Sequence, residues 1–184
     1  MTLAEGGLPP AIRRFVLHWG DMGGQWGVNR SVAQIHALLL LSDRPLPADE
    51  IVEVLGIARS NVSTSLKELQ TWNLIHRVPI QGDRRDHFAA EGDIWEMVKR
   101  IADGRKSREF DPAARVLRDC LAEAEDDKRI SDNAKARLAE MQDFVDTLGT
   151  WHEQMMRVPK SKLVPLIKLG SRAVDLLSPL IRSK

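Results

Sequence analysis

ADEIVEVLGIARSNVSTSLKELQTWNLIHRVPIQGDRRDHF, residues 48–88, changes periodicity twice. Ile51, Val54 and Leu55 recur at helical spacing, with Asp49 and Glu50 at the helix's favourable positive end. Gly56 follows as the turn residue, where the chain needs a left-handed conformation. A second helix then buries a stripe of Val62, Leu66 and Leu69. Its opposite side carries Arg59, Ser60, Asn61, Ser63, Thr64 and Lys67, almost wholly hydrogen-bonding groups. After Trp72 and Asn73 the run LIHRVPI has strand character, and Pro79 within it confines it to a sheet edge. QGDRRD is a polar turn that puts Arg84 and Arg85 at a loop tip, and HFA returns as the second strand. The stretch thus reads as helix, tight turn, second helix and a short basic hairpin. One edge of the second helix is free to meet base edges and phosphates.

The flanks read as helices. Pro9 and Pro10 precede a pattern in which Phe15, Trp19, Met22 and Trp26 share a face. Gly20, Gly23, Gly24 and Gly27 each weaken that helix by about 1 kcal/mol relative to Ala, and they either allow close backbone approach or break it. Asn29 caps a following helix with Val32, Ile35, Leu38 and Leu39 on one face. DRPLP is a turn, with Pro47 as a first helical residue. From Asp93, the residues Ile94, Met97, Val98 and Ile101 share a face, and Asp111–Pro112 marks a further helix start. Ser131 opens a long helix whose Ala134, Leu138, Met141, Val145, Leu148, His152 and Met155 alternate steps of four and three, a coiled-coil-like seam. A last segment carries Leu163, Ile167, Gly170, Val174, Leu177 and Ile181 along one side.

Composition bounds the rest. The 184 residues are 43% hydrophobic and 29% charged, enough apolar surface for a packed core. The net charge of +1 is low for a nucleic-acid protein, but local field outweighs the sum. The single Cys120 excludes an intramolecular disulfide and points to a reducing interior. It falls with Val116, Leu117 and Leu121 on an apolar stripe, which makes it a buried structural thiol. Residues 1–14 lack a continuous apolar run, and the longest such run, 37–41, is far too short to cross a bilayer. A cytoplasmic protein with no membrane partner is expected.

Catalysis finds no coherent residue set. His18, His36, His76, His87 and His152 are scattered, without HExxH, CxxC or a phosphate-cradling glycine loop. Asp83, Asp86 and His87 form a weak metal trio that flanking arginines oppose. No catalytic residue, metal or cofactor is expected. Trp19, Trp26 and Trp95 are candidates for an effector cage, since aromatic faces bind quaternary ammonium groups; core packing is the alternative. Lys160, Lys162, Lys168, Arg172, Arg182 and Lys184 make the terminal segment cationic and amphipathic, suited either to anionic membrane or to docking on acidic helices.

Three stretches together resemble a known family: HWGDMGGQWGVNRSVAQIHALLLLS, LPADEIVEVLGIARSNVSTSLKELQTWNLIHRV, and GDRRDHF with DIWEMVKRIADGRKSRE. They are similar to the GbsR-like branch of the MarR winged-helix regulators, over residues 15–121. The resemblance implies a winged helix–turn–helix fold, a homodimer, action at an operator and, in some relatives, response to choline-like effectors. Two features depart from the pattern. Ala58 stands where a Ser cap is expected, so either Ser60 caps the recognition helix or the helix starts weaker by about 0.5–2 kcal/mol. The absence of Tyr rules out inheriting a tyrosine-built cage unchanged.

The sequence thus implies a mainly α fold: a winged helix–turn–helix domain with a small β-hairpin wing at residues 1–108, and a helical dimerisation and effector region at 109–184. Arg59, Ser60, Asn61, Ser63, Thr64, Lys67, Arg84 and Arg85 are the expected contacts to double-stranded DNA. Of the two wing arginines, one is expected to reach DNA and the other to pair with Asp83 or Asp86 and fix the wing. The expected function is a homodimeric repressor on a pseudo-palindromic operator, responsive to a small molecule. A winged-helix protein-interaction adaptor without sequence-specific DNA binding is the alternative.

Overall fold

A computed structural model of the chain describes residues 7–170. Val174, Leu177 and Ile181 of the terminal apolar side, and Arg172, Arg182 and Lys184 of its cations, lie outside the described residues. Residues up to Ala102 form one compact unit and those from Asp103 a second.

The first unit opens with α1 (Pro10–Gln25), which Pro10 enters at the position where a missing N–H costs nothing. Its glycines do not break it. Gly20 and Gly23 are buried where α2 (Arg30–Leu40) crosses, and a Cβ built on Gly23 would lie 2.6 Å from the Ala33 Cβ. At Gly20 the nearest atom is Gln34 Cγ, also at 2.6 Å, on a chain that can swing aside. Gly23→Ala is therefore expected to lose about 1–3 kcal/mol from overpacking, and Gly20→Ala clearly less, as read from urea midpoints. Gly27 (φ +76°) turns the chain, and Asn29 caps α2 by accepting the Ser31 N–H at 2.8 Å.

Leu46–Pro47 forms a two-residue strand, β1, rather than a plain turn, and Pro47 is the N-cap of α3 (Ala48–Leu55), not its first residue. Gly56 ends α3 in the left-handed conformation (φ 63°, ψ 30°), and α4 (Arg59–Thr71) follows. Ile35, Leu38, Leu46, Ile51, Val62 and Leu69 are almost wholly excluded from solvent, so α2, β1, α3 and α4 share one core. Asn73 (φ 54°) turns the chain into β2 (Ile75–Ile80), which pairs antiparallel with β3 (Asp83–Ala90). The sheet order β1-β3-β2 puts β2 at an edge, and the register shifts between Val78 and Ile80, around Pro79. Phe88 faces Leu46 across the β1–β3 pair and anchors the hairpin to the core.

Asp93 caps α5 (Ile94–Arg105), accepting the Trp95 N–H at 2.8 Å. Met97 is buried and Ile101 packs on the core, but Ile94 and Val98 are exposed at 51% and 48%. The stripe expected from sequence is wider than the surface that covers it. Arg100 ties this helix down, with Glu91 at 2.9 Å, Glu96 at 3.0 Å and the Asn73 carbonyl as partners.

Asp111–Pro112 does not start a fresh helix. A π-helical turn, Lys106–Phe110, runs from α5 into α6 (Asp111–Asp126), and the Asp111 N–H donates to the Lys106 carbonyl. Pro112 explains the widening: it has no N–H for the carbonyl four residues back, and its ring crowds that group. Asp111 accepts from Lys106 Nζ at 2.8 Å rather than capping.

Ser131 does cap α7 (Asp132–Arg157), accepting the Ala134 N–H at 3.3 Å. Helices α6 and α7 form a hairpin closed by Lys135 Nζ on the Glu125 carbonyl (2.9 Å) and by Arg118 with Asp146 (3.4 Å). Cys120 is exposed, contrary to the sequence reading, because α6 buries only Ala124 and leaves Val116 62% exposed. The last helix among the described residues, α8 (Lys160–Leu169), contains Pro165.

Candidate nucleic-acid interface

Helix α4 divides as its 3.6-residue period dictates. Val62, Leu66 and Leu69 are buried, and Ser65, placed between them on the helical net, is buried too. Arg59, Ser60, Asn61, Ser63, Thr64 and Lys67 are all exposed. Ala58 is the N-cap of the helix and no side chain caps it, so Ser60 does not substitute for the missing serine. The first-turn amides are thus left to an outside acceptor, at the end of the helix where the dipole favours anions.

The wing corrects the sequence reading in one respect. The tip is Gln81–Gly82 (φ +85° at Gly82), and Arg84 and Arg85 belong to β3 just beyond it. Strand alternation then sends the two arginines to opposite faces. Arg85 closes on Asp83, with Nη2–Oδ2 at 2.6 Å and Nε contacts of 3.0 and 3.1 Å, and its N–H donates to the same carboxylate at 2.9 Å. These bonds, first the side-chain one and then the backbone one, hold the Asp83 carboxyl well below the usual carboxylate range. His87, buried on the same face, places Nε2 3.4 Å from Asp83 and Nδ1 3.0 Å from the Arg85 carbonyl. Arg84 is exposed and forms no ion pair among the described residues. Arg77 pairs with Asp86 at 3.2 Å.

Carboxylates also reach the start of α4, a feature that the sequence reading missed. Asp49, in the first turn of α3, lies 2.6 Å from Arg59. Glu50 beside it pairs with Arg44. The Arg85 guanidinium is held above its usual range, first by its hydrogen bond to Asp83 and that group's charge, then by Asp49 and Glu50. One acidic turn therefore faces both the start of α4 and the wing. Its only signal in the sequence was two acids ten and nine residues before Arg59, which reads equally well as a helix-dipole preference.

The three tryptophans occupy separate places. Trp19 is half-buried in mid-α1 and stacks on Phe15, with centroids 5.4 Å apart. Trp26, at the end of α1, is 59% exposed, and Trp95 is half-buried in the first turn of α5. Among the described residues no group of three His, Cys, Asp or Glu side chains is placed to hold a metal ion, and no helix is long and apolar enough to cross a membrane.

Residues 26–86, from the end of α1 to β3, match the model of the MarR family. The chain is similar to the HTH-type transcriptional repressor GbsR of Bacillus subtilis (strain 168), at 20% identity over 139 residues, 74% of this chain and 77% of that protein. A crystal structure of a transcriptional regulator is 19% identical, covers 80% of this chain and 96% of its own, and superposes with a TM-score of 0.63, which shows a shared fold.

Proposed function

We propose, from the match of residues 26–86 to the model of the MarR family, that the chain is a homodimeric, sequence-specific DNA-binding repressor tuned by a small molecule. One observation carries the reading. The whole hydrogen-bonding edge of α4 is exposed while Val62, Leu66 and Leu69 hold its other edge in the core. A major groove admits one such helix. In this reading Arg59 and Asn61 address guanine and adenine edges, Ser60, Ser63 and Thr64 serve base or backbone, and Lys67 meets phosphate. Arg84 reaches the minor groove beside it, and Arg85, committed to Asp83, keeps the wing in shape.

The test is fluorescence anisotropy of duplex from upstream of the chain's own gene against a scrambled duplex, over a range of salt. Arg84→Ala is expected to weaken binding about fivefold and to flatten the salt slope by about 0.9. Arg85→Lys, which keeps the charge but loses the fork onto Asp83, is expected to weaken binding with the slope unchanged. The net charge of +1 favours a second reading, an adaptor for protein partners. Absence of any salt-sensitive duplex binding would select it.

Dimerisation is supported by α7. It runs 26 residues, buries only Gln142, and exposes Met141, Phe144 and Trp151 at 56%, 62% and 58%. With half-buried Leu148 and Met155 these side chains repeat at steps of three and four, a seam for a second copy. Small-molecule tuning rests on the resemblance to choline-responsive regulators, with Trp19, Trp26 and Trp95 as its aromatic candidates.

A further inference from the structure

We propose that Asp49 sets the sequence discrimination of this reader by holding Arg59 away from phosphate, a positioning role that rests on the DNA-binding reading above. The Asp49 Oδ1 and Arg59 Nη1 are 2.6 Å apart, with side chains 47% and 77% exposed. A pair so exposed contributes little to the stability of the fold. Its importance lies in where it stands. Arg59 is the first residue of α4, beside a helix start that has no side-chain cap.

Were that guanidinium free, every duplex would gain a phosphate contact there, whatever its sequence. With Asp49 in place, a phosphate oxygen must displace a carboxylate at charge-assisted hydrogen-bond distance, and it meets a like charge as it approaches. A guanine edge carries acceptors but no net charge. A guanidinium has five donors, so Arg59 can keep Asp49 on one side of its fork and offer the other to a base. The Asp49 charge therefore lowers backbone binding more than base reading. Total affinity falls and the ratio of specific to non-specific affinity rises.

The experiment measures anisotropy for the full chain on the upstream duplex and on a scrambled duplex of equal length and composition. Asp49→Asn is expected to tighten scrambled binding about fivefold and steepen its salt slope by about 0.9. The upstream duplex gains less, so discrimination drops. Asp49→Glu, which keeps the charge, stays near the parent. In an Arg59→Ala background Asp49→Asn changes neither affinity nor slope. An unchanged slope for Asp49→Asn, an equal gain on both duplexes, or a gain that persists without Arg59 would overturn the proposal while leaving the DNA-binding reading intact. A parent chain that binds neither duplex would remove that reading and this proposal with it.

Discussion

A chain carrying Phe144→Asp and Trp151→Asp is expected to sediment as a monomer at micromolar concentration, where the parent is proposed to be a dimer, and to bind the upstream duplex at least about 100-fold more weakly than the parent. The size of the effect follows from symmetry. In a two-fold interface each substitution is made twice, so four large side chains are lost at once. Burying a side chain of this kind contributes about 1.5–3 kcal/mol, and aromatic residues at the centre of an interface carry a disproportionate share of its energy. Each introduced carboxylate, if the dimer still formed, would be buried without a partner in an apolar seam. The DNA effect follows from geometry, because half-sites about 34 Å apart are read together only when two recognition helices are linked. Both side chains are exposed in the single chain, at 62% and 58%, so the monomer keeps its helical circular dichroism and its melting behaviour. A dimer that survives both substitutions would place the interface elsewhere.

The stability of the fold is expected to drop by about 3 kcal/mol as pH is lowered from about 6.5 to about 4, and His36→Leu is expected to remove most of that dependence. His36 sits on α2 with 3% of its surface exposed, and its Nε2 has no hydrogen-bond partner among the described residues. Burial penalises the cation and lowers the imidazole pKa from 6.5 to about 4. The unfolded chain takes up a proton below pH 6.5, but the folded chain does not until about 4. Acid therefore favours unfolding throughout that window, and the contribution levels off beneath it. Asp83 acts in a different range. Its carboxyl is depressed by Arg85, so the stability it lends is present above the usual carboxylate range and is lost as pH falls through its own lowered value. Urea denaturation at pH 7.5, 5.5 and 4.5, on the parent and on His36→Leu, separates the two. A parent whose midpoint does not move between pH 7.5 and 4.5 would show that His36 is reached by solvent.

The elements that local chemistry specifies were legible in the sequence. Gly56 needed a left-handed turn, Asn29 and Ser131 offered capping oxygens, and each does what its side chain permits. The two edges of α4 followed from period alone, since Val62, Leu66 and Leu69 recur on one side. Pro79 excluded β2 from the sheet interior, and the sheet order agrees. What escaped was set by residues distant in sequence. Pro47 becomes a strand residue because His87 lies opposite it, forty positions on. Cys120 and Val116 carry the pattern of a covered stripe, yet nothing in the described chain covers them. Pattern reports that a surface is apolar, not what it meets. For Asp111–Pro112 two signals of a helix start were present, but a proline can also be absorbed by widening a helix that continues through it. The sequence leaves open which wing arginine pairs with Asp83, because polar residues at a hairpin do not mark where the strand begins; once β3 begins at Asp83, the residue two along shares its face.

Ala58 gives the recognition helix an unfinished end. A serine there would close the first turn from within the chain, and the helix would be equally ordered with or without company. Without it, the turn is free to fray, and an oxyanion arriving from outside supplies the missing acceptor. In the proposed complex, docking and the last step of folding become a single event, and part of the measured heat of association is the heat of winding one turn of helix.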